Sequence, residues 1–252
     1  MPSDGPIEAG PMEADAYLAE AAELLKLAAA SQRAAVATFA RLWAAAITAG
    51  KLLYAFGSGH SRFIAGELYW RAGGLAPVNM IEDPTDGAAE RVEGYASTFA
   101  EQYDIQAGDI VLVISNSGIN AVPLEVALFA KSKGATVVAL TSVAHSRSVK
   151  SRHSSGQKLY EVADLVIDSQ VPPGDAIRDL RPSGLRAGPV STVISTALLN
   201  AVVVQTARDI IDAGGSPPVL VSANVAVGDD HNKRLAERYW RRLAKFPRLG
   251  QF

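Results

Sequence analysis

Four short, almost continuously apolar runs constrain this chain more than any other feature: Leu52–Phe56, Ile110–Ile114, Thr136–Leu140 and Leu165–Ile167, with Pro77–Ile81 a fifth candidate. Each is too short for a helix and lacks the alternation of a strand with one wet face. Such runs read as strands of a parallel sheet covered on both sides. Between them lie stretches expected to be helical, at 62–72, 88–103 and 123–133. Strand and helix alternating in this way predict a doubly wound α/β fold, a flavodoxin-like three-layer sandwich with helices on both faces of the sheet.

The flanking segments fit that frame. Glu13–Ala49 contains no proline or glycine and repeats apolar residues at helical spacing: Leu18, Ala22, Leu25 and Ala29, then Val36, Phe39, Trp43 and Ile47. A helical hairpin is expected there, stopped at Gly50. Residues 1–12 read as a disordered leader and 13–252 as one domain. The Pro-, Gly- and Arg-rich segment Asp168–Pro189 reads as a long loop. Helices are expected at Val190–Asp212 and at about Asp230–Lys245.

Composition removes several classes of function. With 24 Lys+Arg against 26 Asp+Glu, the formal net charge is −2, so no global positive field recruits nucleic acid or anionic lipid. The basic residues of the terminal helix (Lys233, Arg234, Arg238, Arg241, Arg242, Lys245, Arg248) read as a solvated or subunit-contacting face. The absence of cysteine excludes thiolate catalysis and cysteine-held metal centres. Met1–Pro11 has no signal-peptide pattern, and Val190–Ala207, the most apolar stretch, carries too many polar residues to read as a membrane span. A cytoplasmic protein that contacts neither membrane nor nucleic acid is expected.

In open parallel sheets ligands bind at the carboxyl ends of the strands. Three such ends share one character here: Gly57-Ser58-Gly59-His60-Ser61, Ser115-Asn116-Ser117-Gly118-Ile119-Asn120, and Thr141-Ser142. Small hydroxyl and amide side chains beside glycines, at helix N-termini, suit a phosphate oxygen. Capping and turn formation explain any one loop alone. Three at successive strand ends favour an anion site. The first loop has neither the Gly-Lys-Ser/Thr of a P-loop nor dinucleotide GxGxxG spacing.

FGSGHS, ISNSGIN and ALTS in succession resemble the sugar isomerase (SIS) domain, whose members bind phosphosugars. The resemblance extends through ELYWRAGGLAPVN, SRHSSGQKLYEVAD, PPGDA, GPVSTVISTALLNA and SANV to GDDHN, over about Asp15–Leu243. It is greatest to a bacterial group of single-domain proteins described as phosphosugar or phosphoheptose isomerases. The resemblance implies a phosphate held by Ser115, Asn116, Ser117 and Asn120, with Ser58 and Ser61 of the first loop and Thr141 or Ser142 of the third. It implies a proton-transferring glutamate on the helix after the first loop, which Glu67 matches best. It also implies a histidine near the start of the last core helix, where this chain has Ser191 and Thr192 instead.

Moving a proton between adjacent carbons through an enediol needs a base and a group to handle the oxygens. The histidines are His60, His145, His153 and His231. His60 lies in the first loop, about two helical turns before Glu67. His153 and His231 are candidates to replace the missing core-helix histidine. Glu90 and Glu93, three apart, form a second carboxylate pair; related etherases of N-acetylmuramic acid 6-phosphate use two glutamates, which keeps a lyase reading open. No spacing forms a zinc signature, so neither metal nor cofactor is expected. The expected activity is aldose–ketose isomerisation of a sugar phosphate with Glu67 as base and His60 assisting; the alternatives are an etherase or lyase and a non-catalytic phosphosugar sensor. Leu18, Leu25, Phe39 and Trp43 exceed what one sheet face needs to cover, which predicts a homodimer or homotetramer with sites near the subunit interface.

Overall fold

The computed structural model describes residues 12–225 and 228–243. A five-stranded parallel sheet runs in the order β2-β1-β3-β4-β5. Its strands are β1 (Leu53–Gly57), β2 (Val78–Ile81), β3 (Ile110–Ile114), β4 (Thr136–Thr141) and β5 (Leu165–Asp168). The apolar runs form these strands because both sides of each strand are covered. Leu53, Ala55, Ile110, Leu112, Ile114, Val138 and Leu140 point into one core, and Leu52, Tyr54, Phe56, Val111, Val113, Val137 and Ala139 into the other.

The first core is closed by α1 (Glu13–Ser31), α2 (Arg33–Thr48), α3 (Ser61–Leu68) and α8 (Ser191–Asp212). On the opposite face lie α4 (Ser97–Ala100), α5 (Ala121–Ser132), α7 (Leu159–Val162) and α9 (Gly228–Tyr239). The expected hairpin is α1 and α2. Gln32, between them, ties the hairpin to the sheet edge by accepting the Asp168 amide at 2.9 Å. By length and composition α8 is the one helix among the described residues that could cross a membrane, but Ile194, Leu198, Leu199, Val202, Val203 and Ile210 are buried in the first core.

Several expectations need correction. Residues 88–103 form turns with only the single helical turn α4, because Gly87 and Gly94 take positive φ and the Glu125 carboxylate holds the Gly94 and Ala96 amides. The long loop at 168–189 contains an antiparallel hairpin, β6 (Ala176–Leu180) with β7 (Leu185–Pro189), seated on α1 where Arg178 pairs with Glu13 and Glu20. The terminal helix starts at Gly228, gives way to a 3₁₀ turn at Trp240–Arg242, and carries Arg242 back to Asp109. Lys245, Arg248 and all of the leader except Met12 lie outside the described residues. Phe39 and Trp43 are 0% and 1% exposed within the chain, so of the apolar excess that suggested assembly Leu18, at 65%, and the half-buried Leu25 are left.

A candidate active site at the carboxyl ends of the strands

In this sheet order the direction of winding reverses between β1 and β3, so a crevice opens at their carboxyl ends. A cavity of about 400 Å³ occupies that crevice. Ser58, Gly59, His60 and Ser61 line it from the first loop, Ser115, Asn116, Ser117 and Asn120 from the second, and Thr141 from the third. Three helices, α3, α5 and α8, begin beside these loops. Their N-terminal amides and dipoles favour an anion without a basic side chain.

Local hydrogen bonds shape the second loop. The Ser115 hydroxyl accepts the Gly118 amide at 3.1 Å, folding the chain into a turn that ends at Asn120, the residue before α5. Arg152 donates to the Asn120 side-chain oxygen at 2.9 Å, which leaves the Asn120 amide group as a donor. Thr141 closes the turn from β4 by donating to the Asn116 carbonyl at 3.3 Å.

Ser142 is not part of the cavity. It is fully buried, donates to the Val171 carbonyl at 2.6 Å and accepts the His145 amide, capping α6 (Val143–Ser148).

The expected acids and bases are placed differently from the sequence reading. His60 lines the cavity, its ring edge-on to Phe63 at 5.7 Å. Glu67 does not reach it. Only the start of α3 touches the cavity, through Ser61 and Ile64, and Glu67 lies a turn further on, where it pairs with Arg71. Its side chain lines a separate cavity against β2, with Arg62, Phe63 and Met80. His153 bonds to the Ser155 hydroxyl at 2.8 Å and stands 3.8 Å from Glu125, away from the crevice. His231, on α9, is held to the Val219 carbonyl at 2.8 Å and also lies outside.

Glu90 is the glutamate that lines the cavity. Its backbone carbonyl accepts the Val122 amide at 3.1 Å, which fastens the residue to the start of α5. Burial pushes its carboxyl above the ordinary carboxylate range; Arg91 and Arg152 act in the opposite sense, and Asp83 reinforces burial. Its sequence partner Glu93 is turned away and accepts the Ser154 amide at 2.6 Å. The cavity therefore holds one member of that pair.

Three further groups complete the wall. His145, in the first turn of α6, has its imidazole held below the usual histidine range by burial, opposed by the Asp175 charge. Its Nδ1 is buried without a hydrogen-bond partner among the described residues. Asp175, at φ +67°, accepts the Val190 amide at 2.9 Å and the Ser191 amide and hydroxyl at 2.7 Å each, so a residue outside α8 caps that helix. Ser191, Thr192 and Ser195 face the cavity where the resemblance implies a histidine. The PPGDA and ALTSVAH segments carried this information only as loop composition. Among the described residues no cluster of three or more His, Asp or Glu side chains could hold a metal ion.

The fold agrees with the comparisons. A family model described as SIS domain matches residues 16–142. A UPF0309 protein of Geobacillus thermodenitrificans (strain NG80-2) is 39% identical over 238 residues, spanning 91% of this chain and 96% of the relative. The chain belongs to the SIS-domain family. Another relative, a UPF0309 protein of Brucella abortus (strain 2308), is 41% identical over 209 residues, 79% of this chain and 85% of that one. Among solved structures, this SIS domain is similar in fold to the phosphoheptose isomerase GmhA from Neisseria gonorrhoeae, with a TM-score of 0.52, 20% identity and coverage of 80% of this chain and 97% of that one. It is also similar to the Vibrio vulnificus NanR protein complexed with ManNAc-6P, with a TM-score of 0.53, 18% identity and coverage of 93% and 71%. At these identities the likeness is one of fold.

Proposed function

We propose that the cavity binds a phosphorylated sugar and that the protein isomerises it between aldose and ketose. The observation that carries this reading is Glu90: one carboxyl, raised by burial, facing the same cavity as the Ser58, Ser115–Asn120 and Thr141 loops. The phosphate sits on the Ser115–Asn120 turn, held by hydroxyls and helix-terminal amides. The open-chain sugar then extends toward Glu90, His60 and His145. Glu90 as carboxylate removes the C2 proton while an imidazole protonates the carbonyl oxygen O1 to give an enediol; the O2 hydroxyl then returns a proton to the imidazole as the Glu90 carboxyl delivers its proton to C1, which gives the ketose and restores both groups. A carboxyl raised toward neutrality is a stronger base than an exposed one, and the His145 imidazole, favoured in its neutral form by burial, stays uncharged overall only by giving a proton to one substrate oxygen as it takes one from the other. The phosphosugar isomerase and ManNAc-6P-bound neighbours support a phosphosugar ligand.

Proton NMR in heavy water tests the reading, with a panel of hexose, heptose, hexosamine and N-acetylhexosamine phosphates that includes the 3-O-substituted muramic acid ether. The expected result is loss of the C2 proton signal and ketose formation from one compound, both abolished in Glu90→Gln. Ser117→Ala weakens binding of that compound by about 10- to 100-fold through loss of a hydrogen bond to a charged group. Ligand contacts without C2 exchange on any compound would replace the isomerase by a sensor. Elimination of a 3-O-substituent in place of ketose formation would make the enzyme a lyase.

A further inference from the structure

The segment that carries Glu90 has no regular secondary structure over 82–96, yet its base must be held to within a fraction of an ångström. What holds it converges on Asp83. This carboxylate is 8% exposed and takes four donors on its two oxygens. Oδ1 accepts the Thr85 amide at 2.9 Å and the Thr85 hydroxyl at 2.8 Å. Oδ2 accepts the Ser58 hydroxyl at 3.0 Å and the Gly87 amide at 3.1 Å. Thr85 Oγ1 in turn accepts the Ala89 amide at 3.1 Å, one residue before Glu90. The other end of the segment is pinned where Val122 donates to the Glu90 carbonyl.

We propose that Asp83 is the positioning residue of this site, fastening the Glu90 segment to the first loop so that the base and the ligand loops keep one geometry. The proposal rests on the reading of Glu90 given above. Asp83 does not line the cavity and touches no substrate; it acts through Ser58 on one side and Thr85 and Gly87 on the other. Four donors on two oxygens is an arrangement that a carboxylate satisfies and an amide does not. In Asp83→Asn the NH₂ group must face either the Thr85 or the Gly87 amide, and a backbone N–H, unlike a hydroxyl, cannot reverse its role.

A second consequence separates this role from plain loop stability. The charges bearing on Glu90 are those of Arg91, Arg152 and Asp83, with His60, His145 and Asp175 on the cavity wall. Burial still raises the Glu90 carboxyl when the Asp83 charge is removed, but the negative neighbour that reinforced it is gone, and the carboxyl then titrates at lower pH. Thr85→Val provides the contrast. It removes the hydroxyl that links Asp83 Oδ1 to the Ala89 amide and keeps the charge, so it loosens the segment without moving the titration.

The test uses the full-length chain and needs no substrate. Carboxyl ¹³C NMR, with Glu90 assigned by its loss in Glu90→Gln, follows the titration in wild type, Asp83→Asn and Thr85→Val. Amide hydrogen exchange follows Gly87 and Ala89 in the same proteins, and a far-ultraviolet dichroism spectrum establishes that each is folded. Asp83→Asn is expected to lower the Glu90 midpoint and to speed Gly87 exchange by about 10- to 100-fold. Thr85→Val is expected to speed Ala89 exchange alone. An unchanged Glu90 midpoint in a folded Asp83→Asn, or unchanged Gly87 exchange, overturns the proposal. Should Asp83→Asn be unfolded, Ser58→Ala carries the test: it removes the tie of Asp83 Oδ2 to the first loop and keeps the charge, so faster Gly87 exchange with an unmoved Glu90 midpoint is expected, and unchanged Gly87 exchange overturns the proposal. Failure of the Glu90 reading itself is seen separately, as C2 exchange that survives Glu90→Gln.

Discussion

Replacing Gly87 by alanine should damage the molecule more than its surface-loop position suggests, and the cost divides into two parts. Gly87 has φ +94°, a region that side-chain-bearing residues avoid, which costs about 1–3 kcal/mol. A Cβ there would also stand 2.5 Å from the Gly59 backbone nitrogen and 2.6 Å from its Cα. That contact is backbone against backbone, so no rotamer change relieves it. The segment carrying Glu90 and the first loop must move apart, adding about 1–3 kcal/mol for overpacking. The control lies seven residues on: Gly94 has φ +81° and open space around its Cβ direction, so Gly94→Ala incurs only the conformational cost. Urea unfolding of the three proteins should place Gly87→Ala below Gly94→Ala by about 1–3 kcal/mol, or roughly 2–4 °C of Tm per kcal/mol in a chain of this size. Phosphosugar binding should be lost in Gly87→Ala and kept in Gly94→Ala. Equal stabilities, or binding retained in Gly87→Ala, would refute the close approach of the two loops.

Three further outcomes follow from the charges. Arg242 donates to buried Asp109 at 2.5 Å and 3.2 Å, so Arg242→Ala should cost about 3 kcal/mol, read as a fall in Tm, by leaving a carboxylate buried without its cation. Because burial raises the Glu90 carboxyl, the folded state holds that proton to higher pH than the unfolded chain does, and stability falls as pH rises through this window. Glu90→Gln should therefore raise Tm at pH 7 and lose that advantage in acid, below the ordinary carboxyl range. For His145 the sign reverses: its depressed folded-state titration means that the stability it contributes is present above the unfolded value of about 6.5 and is lost as pH falls below it. Imidazole NMR should find His145 titrating below the ordinary histidine value, and His145→Gln should flatten the acid side of a Tm-against-pH curve; an unshifted His145 titration would contradict the burial described here.

The sequence by itself determined the sheet and the location of the ligand loops. Runs such as Ile110–Ile114 can only be satisfied between two covering layers, and a strand in that setting ends in a loop at the carboxyl edge. The Ser, Asn and Gly content of those loops was visible without coordinates because each loop is local, a turn and the start of the next helix within six residues. The acids and bases were not legible in this way. Glu67 and Glu90 are equally plausible in one dimension, and what separates them is that α3 runs away from the cavity while Asp83, Ser58 and Gly87 bend the segment after β2 back over it. The contact of Ser58 with Asp83 joins residues 25 positions apart, and no spacing rule encodes it. Asp175 was hidden for the same reason, since it caps a helix that begins 16 residues later. His145 sits behind a local cap from Ser142, and what the sequence did not carry was that its ring faces the cavity. Hydrophobic periodicity records which residues leave water together, whereas the direction of a single polar side chain is decided by the long-range hydrogen bonds that its burial compels.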